Sequence, residues 1–132
     1  MSPTLSSDIA PPLAHSPFVN IRYRKGVMVL RPTGPKLGQR ESGIVAEECR
    51  RAISGYGTEL RHVVIDLSDV RSMASLGLGL CIEMRNAARN QHASCILFGL
   101  GQELRELFSL MKIDRLFTMV HSADDLGRAV AA

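Results

Sequence analysis

The sequence predicts an α/β fold in which a mixed sheet of about five strands carries about four packed helices. Three observations lead there. Apolar residues switch along the chain between short strand-like runs and three- and four-residue helical steps. The first two strand-like runs are separated only by Lys25-Gly26, a hairpin signal that makes their pairing antiparallel. After them helices and strands alternate, and strands separated by helices pair in parallel through right-handed crossovers. A length of 132 residues favours one domain, and 45% hydrophobic against 22% charged residues is enough for a real core.

Residues 1–17 are rich in Ser and Pro and lack the basic and apolar regions of a secretory signal, so they read as a flexible tail before a domain at 18–132. Phe18 to Arg24 and Val27 to Leu30 form the hairpin. Arg31 to Gly38 holds two prolines and two glycines and reads as a loop. Glu41 to Ile53 is a helix, with Ile44, Val45, Cys49, Ala52 and Ile53 at helical spacing, ended by Ser54-Gly55-Tyr56-Gly57. His62 to Leu67 is the strongest strand, since the run Val63-Val64-Ile65 suits a strand buried on both faces. Ser75 to Asn90 is a helix with Leu80, Cys81, Met84, Ala87 and Ala88 inward and Glu83, Arg85 and Arg89 outward. A strand at Ser94 to Phe98 and a helix at Gln102 to Met111 follow, the latter with Leu104, Leu107, Phe108 and Met111 on one side. Leu116 to Val120 is the last strand and Ser122 to Val130 the last helix, opened by a capping box of Ser122 and Asp125.

Several chemistries are excluded. The net charge of +3 and the short cluster Arg22, Arg24, Lys25 fall short of a nucleic-acid stripe; the cluster reads as a solvated strand edge that discourages edge pairing. Cys49, Cys81 and Cys95 are odd in number with no Cys-x-x-Cys, so they read as core residues of a reducing cytosol. Cys81, His92 and Cys95 match no zinc spacing, and no metal or other cofactor is expected. Gly34-Pro35-Lys36 lacks the glycine and hydroxyl of a phosphate loop, and Ile82 stands where a dinucleotide fingerprint needs a glycine. Asp66 and Asp69 read as turn residues, His62 as a structural strand-edge residue, and no nucleophile–base pair is visible, so no enzyme is expected. No apolar run reaches the ~20 residues of a membrane helix, so direct membrane insertion is not expected.

The informative stretch is Ser72-Met73-Ala74-Ser75-Leu76-Gly77-Leu78-Gly79, which follows the buried strand and opens a helix. On local pattern alone Ser75 is a helix N-cap hydroxyl. A phosphate on it would sit among unpaired helix N–H groups at the positive end of the dipole. Residues 75, 78, 79, 82 and 86 share one helical face, where Leu78 and Ile82 either form a docking patch or cover a neighbouring element.

The run His62 to Val70 followed by Met73 to Gly79 resembles the central motif of STAS domains: an aliphatic strand, an Asp-Leu-Ser turn, then Met-Asp-Ser-Ser/Thr-Gly-Leu-Gly. Ile113-Asp114-Arg115-Leu116-Phe117 is similar to a later segment of the family, and the resemblance spans residues 18–131. It implies the STAS fold and an anti-sigma-factor antagonist of the bacterial cytoplasm. Such a protein binds an anti-sigma factor that is also a serine kinase and releases a sigma factor, until phosphorylation of the motif serine, here Ser75, breaks the complex. Ser75, Leu76, Leu78, Gly79 and Ile82 are the implied partner-binding residues. Two positions depart from the motif: its Asp is Ala74 and its second hydroxyl residue is Leu76. Partner binding therefore carries over better than the switch. The alternative is an accessory STAS subunit of a membrane transporter or a signalling scaffold.

Overall fold

The computed structural model describes residues 14–56 and 59–131. Among these residues, eight strands and four helices follow one another as β1 (Ala14–His15), β2 (Val19–Arg24), β3 (Val27–Pro32), β4 (Lys36–Leu37), α1 (Gln39–Tyr56), β5 (His62–Asp66), β6 (Ser72–Met73), α2 (Ser75–Asn90), β7 (Ser94–Phe98), α3 (Gln102–Leu110), β8 (Thr118–Val120) and α4 (Ala123–Ala131). A 3-10 turn at Asp114–Leu116 precedes β8.

The main sheet has the order β1-β2-β3-β5-β7-β8. The hairpin is antiparallel, with Ile21 opposite Leu30, and β5, β7 and β8 add in parallel, which makes the sheet mixed. Lys25 and Gly26 both take positive φ (50° and 85°), the backbone of a two-residue turn whose twist matches its strands. The sixth strand is β1, where Ala14 pairs with Ile21 and His15 with Asn20. Ala14 and His15 were expected in the tail; residues 1–13 lie outside the described residues. That pairing reaches β2 only at Asn20 and Ile21, so the basic cluster of Arg22, Arg24 and Lys25 lies beyond it.

Period-two alternation sorts the strands into two layers. Met28, Leu30, Val63, Ile65, Cys95 and Leu97 face the larger core, which α1, α2 and α3 complete with Val45, Cys49, Ile53, Leu80, Met84 and Phe108. Val64, Ile96 and Val120 face the other way and are covered by Leu126, Ala129 and Val130 of α4. The continuous run Val63-Val64-Ile65 is thus apolar because both faces of β5 are covered. The three cysteines are free and buried, and burial pushes the Cys49 and Cys95 thiols up to about 12. At the hairpin end, Tyr23 stacks on Tyr56 with ring centroids 3.9 Å apart. The bond from the Asp125 N–H to Ser122 Oγ, 3.1 Å, supplies the expected N-terminal cap of α4.

Candidate partner-binding site

The site is assembled from two loops that tie to each other. Asp66 closes β5 by accepting the Ser68 N–H at 2.9 Å and the Ser68 hydroxyl, an Asx turn that reverses the chain. Asp69, in the same turn, takes both arms of the Arg31 guanidinium from β3 at 2.9 and 3.1 Å. The Arg31 side chain holds the Asp69 carboxyl below its ordinary range. The two acids are therefore turn and clamp groups, as their position at a strand end predicts.

The stretch read as a plain loop, Arg31 to Gly38, contributes the second wall. It contains the end of β3 and the two-residue β4, which pairs in parallel with β6 (Lys36 with Ser72, Leu37 with Met73). The Pro35 carbonyl accepts the N–H groups of Arg71 and Ser72 at 2.7 and 3.1 Å, and the Leu37 carbonyl accepts that of Ala74 at 2.9 Å. Gly34 permits this approach, because a Cβ there would sit 1.7 Å from the Asp69 carbonyl oxygen. Two-residue bridges have no periodic signature, which is why periodicity alone did not reveal β4 and β6.

At the end of this scaffold α2 begins. Its N-cap is Ala74, in extended geometry, with no side-chain cap bond. Ser75 is thus the first helical residue, which corrects the N-cap expectation by one position. The Leu76 N–H instead donates to Gln39 Oε1, 3.2 Å away, from the first residue of α1. Gln39 was not identified from the sequence; its partner is 37 residues distant, beyond any local pattern. The first turn of α2 contains no acidic residue.

Ser75 and Gly79 are exposed, and Leu78 and Ile82 are half-buried. Leu78 packs partly against the larger core, so it covers its own chain as well as lining the face. Leu76 is the greasy residue that faces water, at 52% exposure. Gly77 is buried against Met73, with room for no added Cβ, whereas one at Gly79 would meet nothing within 4 Å. Further along, Leu110 (77% exposed), Met111 (54%) and Leu116 (37%) are also uncovered. Met111 was expected to point inward; it lies one residue past α3 as its C-cap, where the helical spacing no longer applies. Arg85 of α2 donates to the Leu116 carbonyl at 2.8 Å and fixes the 3-10 turn against α2.

Among the described residues no group of His, Cys, Asp and Glu could hold a metal ion, and no helix is long and apolar enough to cross a membrane.

The comparisons agree with this architecture. An anti-sigma-factor antagonist (STAS) domain protein from Planctomyces limnophilus superposes with TM-score 0.77 at 18% identity, covering 86% of this chain and 98% of that one. The Bacillus cell-fate determinant SpoIIAA in its phosphorylated form gives TM-score 0.66 at 14% identity, covering 86% of this chain and 99% of that one. The STAS domain of a SulP transporter from Vibrio cholerae gives 0.65 at 14%, covering 83% and 84%. At these identities the likeness is one of fold. No curated protein matches the chain. Residues 18–126 match the STAS domain family, and with the two-layered mixed sheet and the loop-to-helix junction at Ser75 in place, the chain belongs to that family.

Proposed function

We propose that this chain is an anti-sigma-factor antagonist. It binds an anti-sigma factor that is a serine kinase, frees a sigma factor, and is released when Ser75 is phosphorylated. It acts by binding rather than catalysis, in the bacterial cytoplasm. The observation that carries this reading is the exposed pair Ser75-Leu76 at the first turn of α2, set on a loop tied at both flanks. A hydroxyl beside an exposed leucine offers a partner an apolar anchor and a kinase an acceptor. The solved phosphorylated form of SpoIIAA, which shares the fold, supports the same reading. Phosphorylation adds about −1.5 to −2 charge. The first turn of α2 accommodates it through its dipole and its lack of acids, while the apolar interface against Leu76 does not.

The test is recovery of a kinase partner from the native cell, followed by calorimetry with purified components. Leu76→Ala and Ser75→Asp are expected to weaken the complex at least about 10-fold, about 1.4 kcal/mol, and Ser75→Ala to retain it. Wild-type affinity in both of the first two variants would end the proposal.

A second reading, an accessory subunit of a membrane transporter, is favoured by the likeness to the SulP STAS domain. Co-purification with a permease and its ATPase in place of a kinase distinguishes it.

A further inference from the structure

We infer that the groove between the hairpin and α4 is the docking site of the chain's own N-terminal segment, residues 5–13, with Ile9 and Leu13 as the anchors. The groove lies on the sheet face opposite α1–α3, away from Ser75, and is independent of the function proposed above.

The groove follows from the unequal coverage of the two sheet faces. On this face α4 has only nine residues and covers Val64, Ile96 and Val120. Val27 and Val29 of β3 are left half-buried as the floor. Leu126, Gly127 and Val130 of α4 form one wall and hairpin residues 22–25 the other, around about 480 Å³. Floor and α4 wall are aliphatic, so an aliphatic occupant gains most by leaving water for this site.

The sheet delivers such an occupant to the rim. Strand β1 is antiparallel to β2, with Ala14 opposite Ile21 and His15 opposite Asn20. Going back along the chain from β1 is therefore going forward along β2, towards the hairpin turn and the groove. Ile21 belongs to the larger core, so by alternation Arg22 stands on the other face, where it pairs with Val29. One further step of the β1 register sets Leu13 beside Arg22, on the face of the valine floor. Pro12 and Pro11 come next. Having no N–H to give a ladder, they end the pairing with β2 and release the chain from the sheet at the rim of the groove. Ile9 is four residues before Leu13, a reach of up to about 13 Å, and β3 lies two strand spacings from β1, about 10 Å. Val27 and Val29 are thus within range of Ile9. The segment also suits the floor: Leu5, Ile9, Ala10 and Leu13 are apolar and Asp8 is its one charged residue. Tethered at the rim, it is present at an effective concentration on the order of 1 mM, which favours it over a second copy of the chain.

The experiment is methyl NMR on the full chain. Nuclear Overhauser contacts are expected from Ile9 and Leu13 to Val27, Val29 and Val130, unchanged on dilution and absent between copies in a mixture of two differently labelled samples. The double variant Ile9→Asp/Leu13→Asp should lose these contacts and shift the three groove valines, with Val45 and Val63 of the opposite core unmoved. Gly127→Leu should also remove the contacts, by filling the groove, without unfolding the chain, because a Cβ at Gly127 meets nothing within 4 Å and leucine is the better helix former. Absence of the contacts in the wild-type chain, shifts spread over both cores, or groove valines that stay in place in the double variant would overturn the inference. So would contacts found between differently labelled copies, which would make a second copy the occupant.

Discussion

Replacing Ala74 by Asp tests how α2 is started. Ala74 has φ −79° and ψ 173°, the extended backbone from which a cap side chain reaches the second or third helical N–H. It makes no such bond, and among the described residues the side chain serving that end is Gln39, on the Leu76 N–H at 3.2 Å. An Asp would add an acceptor, worth about 1 kcal/mol over Ala at this position, and a charge at the positive dipole end, worth about 0.3–1 kcal/mol. Competition with Gln39 for the same N–H offsets part of this, leaving a net gain of about 1 kcal/mol. With an unfolding entropy of about 2.1 cal/mol/K per residue, a chain of 132 residues should then melt about 3–4 °C higher. Calorimetric melting of wild type, Ala74→Asp, Gln39→Ala and the double variant measures this. Gln39→Ala alone should cost about 0.5 kcal/mol, the low end for an exposed neutral bond, and less in the Asp background. An unchanged or lowered Tm for Ala74→Asp, or an equal Gln39→Ala cost in both backgrounds, would refute the account of the cap.

Phe108, fully buried and edge-on to Phe117 at 6.4 Å, should cost about 3–5 kcal/mol on replacement by Ala, read from urea unfolding. Gly34→Ala drives a methyl into the Asp69 backbone; a loss of about 3 kcal/mol is expected, together with weakened partner binding, because the clash lies in the wall that holds the Ser75 loop. Native Cys49 and Cys95, with thiols pushed up to about 12 by burial, should react with iodoacetamide at pH 8 about a thousandfold more slowly than after unfolding. Arg31→Gln should move the Asp69 titration upward in NMR. The Asp69 value is depressed in the fold, so its contribution is present above the ordinary carboxylate range and is lost as the pH falls through the depressed value, by an amount reduced by solvent screening at this exposed pair.

What was legible in the sequence is what repeats. Helix α2 and strands β5 and β7 start where their apolar periods start, because both layers of core read the same alternation. The site stretch stands out by its place between the buried strand and the helix it opens, and the family resemblance is what gives it a role. Helix α1 runs beyond its expected Glu41–Ile53 limits to Gln39 and Tyr56, since its ends are fixed by long-range partners: Gln39 serves α2, and Tyr56 stacks on Tyr23. Strand β8 starts two residues late because Leu116 is taken into a 3-10 turn held by Arg85. The exposure of Leu76 was equally hidden, since composition says nothing about which leucine a neighbour covers.

The double tether of the 67–74 segment has a thermodynamic consequence. Carbonyls of Pro35 and Leu37, the Arg31 fork and the Gly34 contact all act on it in the free protein. A surface already frozen before encounter loses little entropy when a second molecule lands on it, so more of the contact energy survives as affinity. For the same reason, charge added at its tip has no slack backbone in which to relax and must be felt by whatever is docked there.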